Sequence, residues 1–83
     1  MNKNYLAVKM AKEYLEKVNA SLLLKNLMWV CETRDNYKTV LLSTANVNTP
    51  DLTIECFYIG DAHGANTFAY GLYIQMSLMQ GEQ

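Results

Sequence analysis

The only histidine of the chain, His63, lies in the glycine-bracketed segment GDAHGAN. A general base or a metal site needs further ligands or a nucleophile at close spacing, and the sequence places only Asp61 nearby. A phosphate-binding loop would bring a lysine and precede a helix, whereas the residues after this segment alternate like a strand. We therefore expect a solvent-exposed hairpin loop in which His63 is incidental or a contact residue.

Two cysteines, Cys31 and Cys56, are the candidates for redox or metal chemistry. They are too few for a disulfide framework and lack CxxC spacing, which favours reduced thiols packed in the interior. A zinc site built from both cysteines and His63 would lack the close ligand spacing of structural zinc sites. We expect no metal and no cofactor.

Paired carboxylates are the remaining candidates for acid–base chemistry. Glu13 and Glu16 are about one turn apart on the polar side of a predicted helix, where charged residues are expected in any case. Glu32 and Glu55 fall on predicted strands and are typical of solubility devices or of an acidic rim. Since no nucleophile, base and orienting group can be assembled, the sequence does not predict an enzyme.

The charges are unevenly distributed along the 83 residues, although the net charge is only −1. Residues 1–25 carry five lysines against two glutamates, and nothing after Lys38 is basic. A basic patch interleaved with glutamates is weak support for nucleic-acid binding, so we expect no direct contact with nucleic acid. The N-terminal residues lack the apolar stretch of a signal peptide and the sequence contains no 18-residue apolar run, so we expect no membrane contact and a cytoplasmic location.

The elements that must position these residues begin with an amphipathic helix over residues 3–18. Val8, Ala11, Leu15 and Val18 share one arc of the helix, and charged residues lie opposite. Asn2 or Asn4 can cap its start, and Asn19 is suited to the left-handed conformation that ends helices. Residues 20–26 fit a connection or a second short helix.

Four strands are predicted after the helix, over residues 27–34, 37–44, 52–59 and 67–79. Asp35 and Asn36 suit a two-residue hairpin turn, and the glycine-bracketed segment at residues 60–66 connects the last two strands. The predicted fold is a single α+β domain over residues 1–83, with the N-terminal helix packed on a four-stranded antiparallel sheet of two consecutive hairpins.

Such a sheet would be apolar on both faces, and one helix can cover only one of them. A sheet with a surplus apolar face usually has a partner for it. The predicted partner-binding residues on the outer face and at its acidic rim are Met28, Val30, Glu32, Tyr37, Leu41, Glu55, Phe57, Asp61 and Tyr73.

These observations favour a small interaction protein that inhibits or modulates a larger protein by occluding a basic surface, as on a nucleic-acid-handling enzyme. Size and acidic charge are typical of phage or mobile-element inhibitors of host defence, such as anti-CRISPR proteins or nuclease inhibitors, which act in the host cytoplasm. The alternative is a homodimer whose outer sheet faces pack together, with a structural role or a small ligand bound in the dimer cleft.

Overall fold

Two helices and a three-stranded antiparallel sheet make up the protein, whose computed structural model describes residues 2–81. The strands follow one another in the sheet in chain order. The elements are α1 (Lys3–Leu22), a 3₁₀ turn (Leu23–Lys25), β1 (Leu27–Arg34), β2 (Thr39–Asn46), β3 (Thr49–Gly60) and α2 (Ala62–Gly81). The α+β class and the antiparallel sheet are confirmed, but the sheet has three strands and a helix stands at each end of the chain.

Helix α1 forms where the apolar spacing predicts it. The four residues of the predicted arc, Val8, Ala11, Leu15 and Val18, are its buried residues. The Asn2 side chain caps its start, because the Asn4 backbone N–H donates to Asn2 Oδ1 at 2.8 Å.

The helix is longer than predicted and ends at Leu22 instead of at Asn19. Asn19 stays helical because its side-chain amide bonds the backbone of Trp29 and so fixes α1 against β1. The left-handed residue that follows the 3₁₀ turn is Asn26, with φ 59°. Asn26 therefore adopts the left-handed conformation that we expected at Asn19.

The β1–β2 hairpin has a four-residue loop instead of a two-residue turn. Asp35, Asn36 and Tyr37 all have positive φ, and the Lys38 N–H donates to the Asp35 carbonyl at 3.1 Å. The register therefore pairs Arg34 with Thr39. It differs from the predicted register by two residues, an even shift that leaves every side chain on its predicted face.

Strand β3 is an irregular edge strand. Its pairing with β2 slips at three places, so that Phe57, Ile54 and residues 50–52 have no partner opposite them. These irregularities are β-bulges, which increase twist and redirect side chains. Pro50 is tolerated because it lies where the register slips, on a strand with one open edge.

Helix α2 occupies the residues predicted to form the fourth strand, and that prediction is wrong. Asp61 precedes its first turn and acts as its N-cap, so the glycine-bracketed segment is a helix start and not a hairpin loop. The residues 67–79 continue this helix.

The core lies between one face of the sheet and both helices. Val8, Ala11 and Leu15 of α1 meet Val40 and Leu42 of β2, and α2 adds Ala62, Ala65 and Ala69. The three alanines allow the helix backbones to approach closely, since small contact residues shorten the distance between helix axes. The second helix covers sheet area that a single helix would leave open.

Candidate interaction surfaces

The outer face of the sheet carries four of the nine predicted partner-binding residues. Met28, Val30 and Glu32 alternate with the core-facing Trp29 and Cys31 along β1, and Leu41 pairs with Glu32. The three apolar members of this group are half-buried, and Glu32 is exposed. Its carboxylate lies 3.4 Å from the guanidinium of Arg34 on the surface.

The other five predicted residues lie elsewhere in the molecule. The Tyr37 ring contacts Tyr5 of α1 edge-on, with 5.4 Å between centroids, and Tyr73 is on α2 beside Tyr14 at 5.5 Å. The remaining three are Glu55 and Phe57 of β3 and Asp61 at the start of α2. The nine residues therefore do not form one continuous patch.

Phe57 shows why the outer face could not be assigned completely from alternation. As the extra residue of a bulge, it points to the helix-bearing side, and its ring centroid lies 5.2 Å from that of Trp29. Its neighbour Tyr58 packs on the same side, where its ring contacts Phe68. Two successive residues of β3 thus share one face.

The largest exposed apolar area on the sheet belongs to β3. Every residue from Thr49 to Phe57 is exposed. The large apolar residues of this strand, each 49–69% exposed, are Leu52, Ile54, Phe57 and Ile59. We call these four residues, together with Asp51 and Glu55, the β3 surface.

The two edges of the sheet differ in how their backbone groups are satisfied. At the β1 edge, the Trp29 N–H donates to Asn19 Oδ1 at 2.6 Å and the Asn19 side-chain N–H donates to the Trp29 carbonyl at 3.1 Å. Helix α1 therefore occupies this edge. In the described part of the chain, β3 pairs with β2 alone, which leaves its other edge open to a further strand.

The start of α2 is a cluster of capping interactions. Asp61 Oδ1 accepts the Gly64 N–H at 2.9 Å, and the Tyr58 hydroxyl donates to the Asp61 carbonyl at 2.9 Å. The Gly64 bond, followed by the Tyr58 hydroxyl, lowers the pKa of the Asp61 carboxyl. Burial, followed by Asp61, raises the pKa of the Tyr58 phenol. Both groups are therefore held in the protonation states that the cap uses.

The cysteines lie on different strands and have different environments. Cys31 is half-buried, and burial raises the pKa of its thiol, which lowers its reactivity. Cys56 is exposed on β3, contrary to the expectation of an interior thiol. Because β2 separates β1 from β3, the two thiols are not on neighbouring strands.

A groove that no predicted site residue lines runs between the C-terminal turns of the two helices. It encloses about 400 Å³, and its lining includes Val18, Leu22, Lys25, Trp29, Leu72 and Met76. Small-ligand sites are typically about 300–1,000 Å³. No local sequence pattern predicts this groove, because it arises where two helix ends and one strand meet.

Within residues 2–81, no three His, Cys, Asp or Glu side chains are grouped as metal ligands would be. Neither α1 nor α2, as far as the structure describes them, has the length and apolar character needed to cross a membrane.

Comparisons with known protein families, with curated proteins and with solved structures find no match to this chain. The functional argument therefore rests on the chemistry and geometry of its own surfaces.

Proposed function

We propose that this chain is a protein-interaction module that inhibits or modulates a larger protein by docking the β3 surface on it. The observation that carries the proposal is the exposure of Leu52, Ile54, Phe57 and Ile59 on one open-edged strand. An edge strand of this kind is a template for pairing with another chain, and its apolar side chains supply anchors.

The charge of the β3 surface indicates the kind of partner. Asp51 and Glu55 lie within β3, Asp61 follows it, and the sequence has no Lys or Arg after Lys38. An acidic surface with apolar anchors favours a partner whose docking region is basic and partly apolar. Proteins that handle nucleic acids carry basic regions of this kind. Docking there would occlude the region that the nucleic acid uses.

The apolar anchors account for most of the expected affinity. Complete burial of one Leu or Ile side chain contributes about 1.5–3 kcal/mol. The acidic side chains around these anchors are screened by salt, so they act mainly on the rate of association and on specificity. A phage or mobile-element anti-defence role, as an anti-CRISPR protein or a nuclease inhibitor, is the narrower form of the proposal, supported by small size and acidic charge.

The experiment is affinity capture from a lysate of the native host, followed by titration of the captured partner with purified variants. Leu52→Lys/Ile54→Lys should weaken binding at least tenfold, because it removes two anchors and adds positive charge facing a basic partner. Nucleic acid bound by the partner should compete with the wild-type chain. Asp51→Asn/Glu55→Gln should lower the salt dependence of the association rate.

The matched control is Leu6→Lys/Met10→Lys, which makes the same chemical change at two exposed apolar residues of α1. It should leave the dissociation constant within about threefold of wild type, and circular dichroism should show that both double variants are folded. The proposal would be contradicted if Leu52→Lys/Ile54→Lys bound the partner as tightly as wild type does. It would also be contradicted if only Leu6→Lys/Met10→Lys lost binding.

A further inference from the structure

Helix α2 has an exposed side without charged residues. Its twenty residues, 62–81, include no Asp, Glu, Lys or Arg, whereas α1 presents lysines and glutamates to solvent. Surface helices of globular proteins normally carry charged or polar residues on the side away from the core. The outer side of α2 is instead partly apolar, with Leu78 64% exposed.

Four residues form a stripe along this side. Their spacing of four, three and four residues is that of a helix–helix contact seam. The stripe lies on the opposite side of the helix from the buried Ala62, Ala65 and Ala69. Its members are the exposed Thr67, Gly71 and Leu78 and the half-buried Ile74.

Nothing in the structure of a single chain requires glycine at position 71. Glycine is among the poorest residues in a helix interior, and a Cβ at position 71 would meet no atom within 4 Å beyond the adjoining backbone of its own helix, among the described residues. Its φ is not positive, so the backbone does not require glycine there. A missing side chain at an exposed helix position allows another helix to approach closely.

The order of side-chain sizes along the stripe fits a second copy of the same helix as the partner. The two smaller residues, Thr67 and Gly71, precede the two larger ones, Ile74 and Leu78. In an antiparallel pair of such helices, Gly71 of one faces Ile74 of the other and Thr67 faces Leu78, so each large residue meets a small one. A parallel pair would place large against large and small against small.

Charge also favours self-association at this stripe over self-association at the β3 surface or at α1. Two copies of the β3 surface would bring Asp51 and Glu55 close to their equivalents, and two copies of α1 would juxtapose its lysines. Two copies of α2 bring no like charges together. We therefore propose that the protein forms a two-fold symmetric dimer through antiparallel packing of the α2 stripes, in which each residue pair occurs twice.

Sedimentation equilibrium from 1 to 200 µM tests the dimer. Wild type should reach twice the 9.5 kDa of one chain. Leu78→Glu and Gly71→Leu should each weaken association at least tenfold, the first by adding like charges and the second by filling the gap that receives Ile74. Two controls should keep the wild-type association constant within about threefold: Gln75→Glu, an exposed residue outside the stripe, and Leu52→Glu on β3.

Disulfide trapping tests the orientation in a Cys56→Ser background. A mixture of Thr67→Cys and Leu78→Cys chains should cross-link, and neither chain alone should do so. Three results would overturn the proposal: a monomer at every concentration, a dimer that Leu52→Glu but not Leu78→Glu dissociates, or cross-linking of Thr67→Cys chains to each other. Sedimentation of a monomer with phosphatidylcholine vesicles would assign the stripe to lipid and would also overturn it.

Discussion

Gly64 and Gly71 lie on the same helix but have opposite surroundings. A Cβ at Gly64 would overlap the hydroxyl of Tyr58, whereas a Cβ at Gly71 would point into open space. Replacement of glycine by alanine in a helix interior stabilises the folded state by about 1 kcal/mol, which applies to Gly71 and is the upper bound for Gly64 in the first turn. At Gly64 the overlap with a ring held by Phe68 and Asp61 costs more than this gain, because overpacking typically costs about 1–3 kcal/mol.

We therefore expect Gly64→Ala to lower the free energy of unfolding and Gly71→Ala to raise it by about 1 kcal/mol. Urea unfolding measures both changes, in a Leu78→Glu background so that association does not contribute. The loss caused by Gly64→Ala should become smaller in a Tyr58→Phe chain. Equal effects of the two alanine substitutions would show that the Tyr58 hydroxyl does not occupy the space over Gly64.

The contact between α1 and β1 depends on the side chain of Asn19. Its amide satisfies both the N–H and the carbonyl of Trp29. Asn19→Ala would leave these part-buried backbone groups without partners, which typically costs about 1–3 kcal/mol. We expect a loss of this size in urea unfolding, and faster hydrogen exchange of the Trp29 amide.

Ser21→Ala is the control for this substitution. It also removes a side-chain hydrogen bond from the end of α1, to the Val18 carbonyl, but Ser21 is exposed and bonds no strand. Its effect should stay within about 0.5 kcal/mol. If Ser21→Ala and Asn19→Ala have the same effect, Asn19 does not join the helix to the sheet.

The first half of the fold could be predicted because its patterns allow one interpretation. The apolar arc of α1 fits only a helical period. In β1 and β2, alternation assigns Trp29, Cys31, Val40 and Leu42 to the core face, and the even shift in register did not change that. The four-residue loop was missed because Asp35 and Asn36 suit both loop lengths.

Helix α2 was missed because its sequence satisfies two periods at once. Phe68, Leu72 and Met76 are both even-numbered and four residues apart, so they fit a strand face and a helix face equally. The deciding signals were Asp61 as an N-cap and the alanines at 62, 65 and 69, whose three- and four-residue spacing fits only a helix. Because α2 was not predicted, the predicted sheet had one apolar face that no helix of the chain covered.

The candidate site was only partly accessible from sequence. Alternation correctly assigned Met28, Val30 and Leu41 to the side away from the helices. Alternation assigned Phe57 to the wrong face. A bulge depends on how two strands pair, and neither strand sequence alone contains a pattern that predicts it. Alternation in the predicted four-stranded sheet places Leu52 and Ile54 on the face shared with the fourth strand, and both are exposed because that strand does not exist.

At the scale of the whole molecule, the charges and the apolar surfaces are segregated. Lys12 of α1 lies beside β1, and the acidic groups of the β3 surface lie on the strand at the opposite edge of the sheet. The stripe of α2, in which Ile74 is half-buried and the other three residues are exposed, carries no charge. A dimer through α2 would leave both β3 surfaces free, so one assembly could present two docking sites to basic partners.

The predicted homodimer through the outer sheet face remains a separate hypothesis. Its apolar residues Met28, Val30 and Leu41 are half-buried in one chain, which leaves less area to cover than on β3. Val30→Glu/Leu41→Glu would dissociate a dimer formed by this face, whereas the α2 dimer should persist. Sedimentation of this variant beside Leu78→Glu distinguishes the two interfaces.

Hydrogen exchange of the captured complex tests most directly whether β3 is the docking strand. The amides of residues 49–60 that β2 does not bond should exchange slowly in the complex and rapidly in the free chain. Those of β1 and of α1 should keep their free rates. Unchanged exchange throughout β3, with new protection confined to the outer face of β1 or to the groove beside Trp29, would contradict the account.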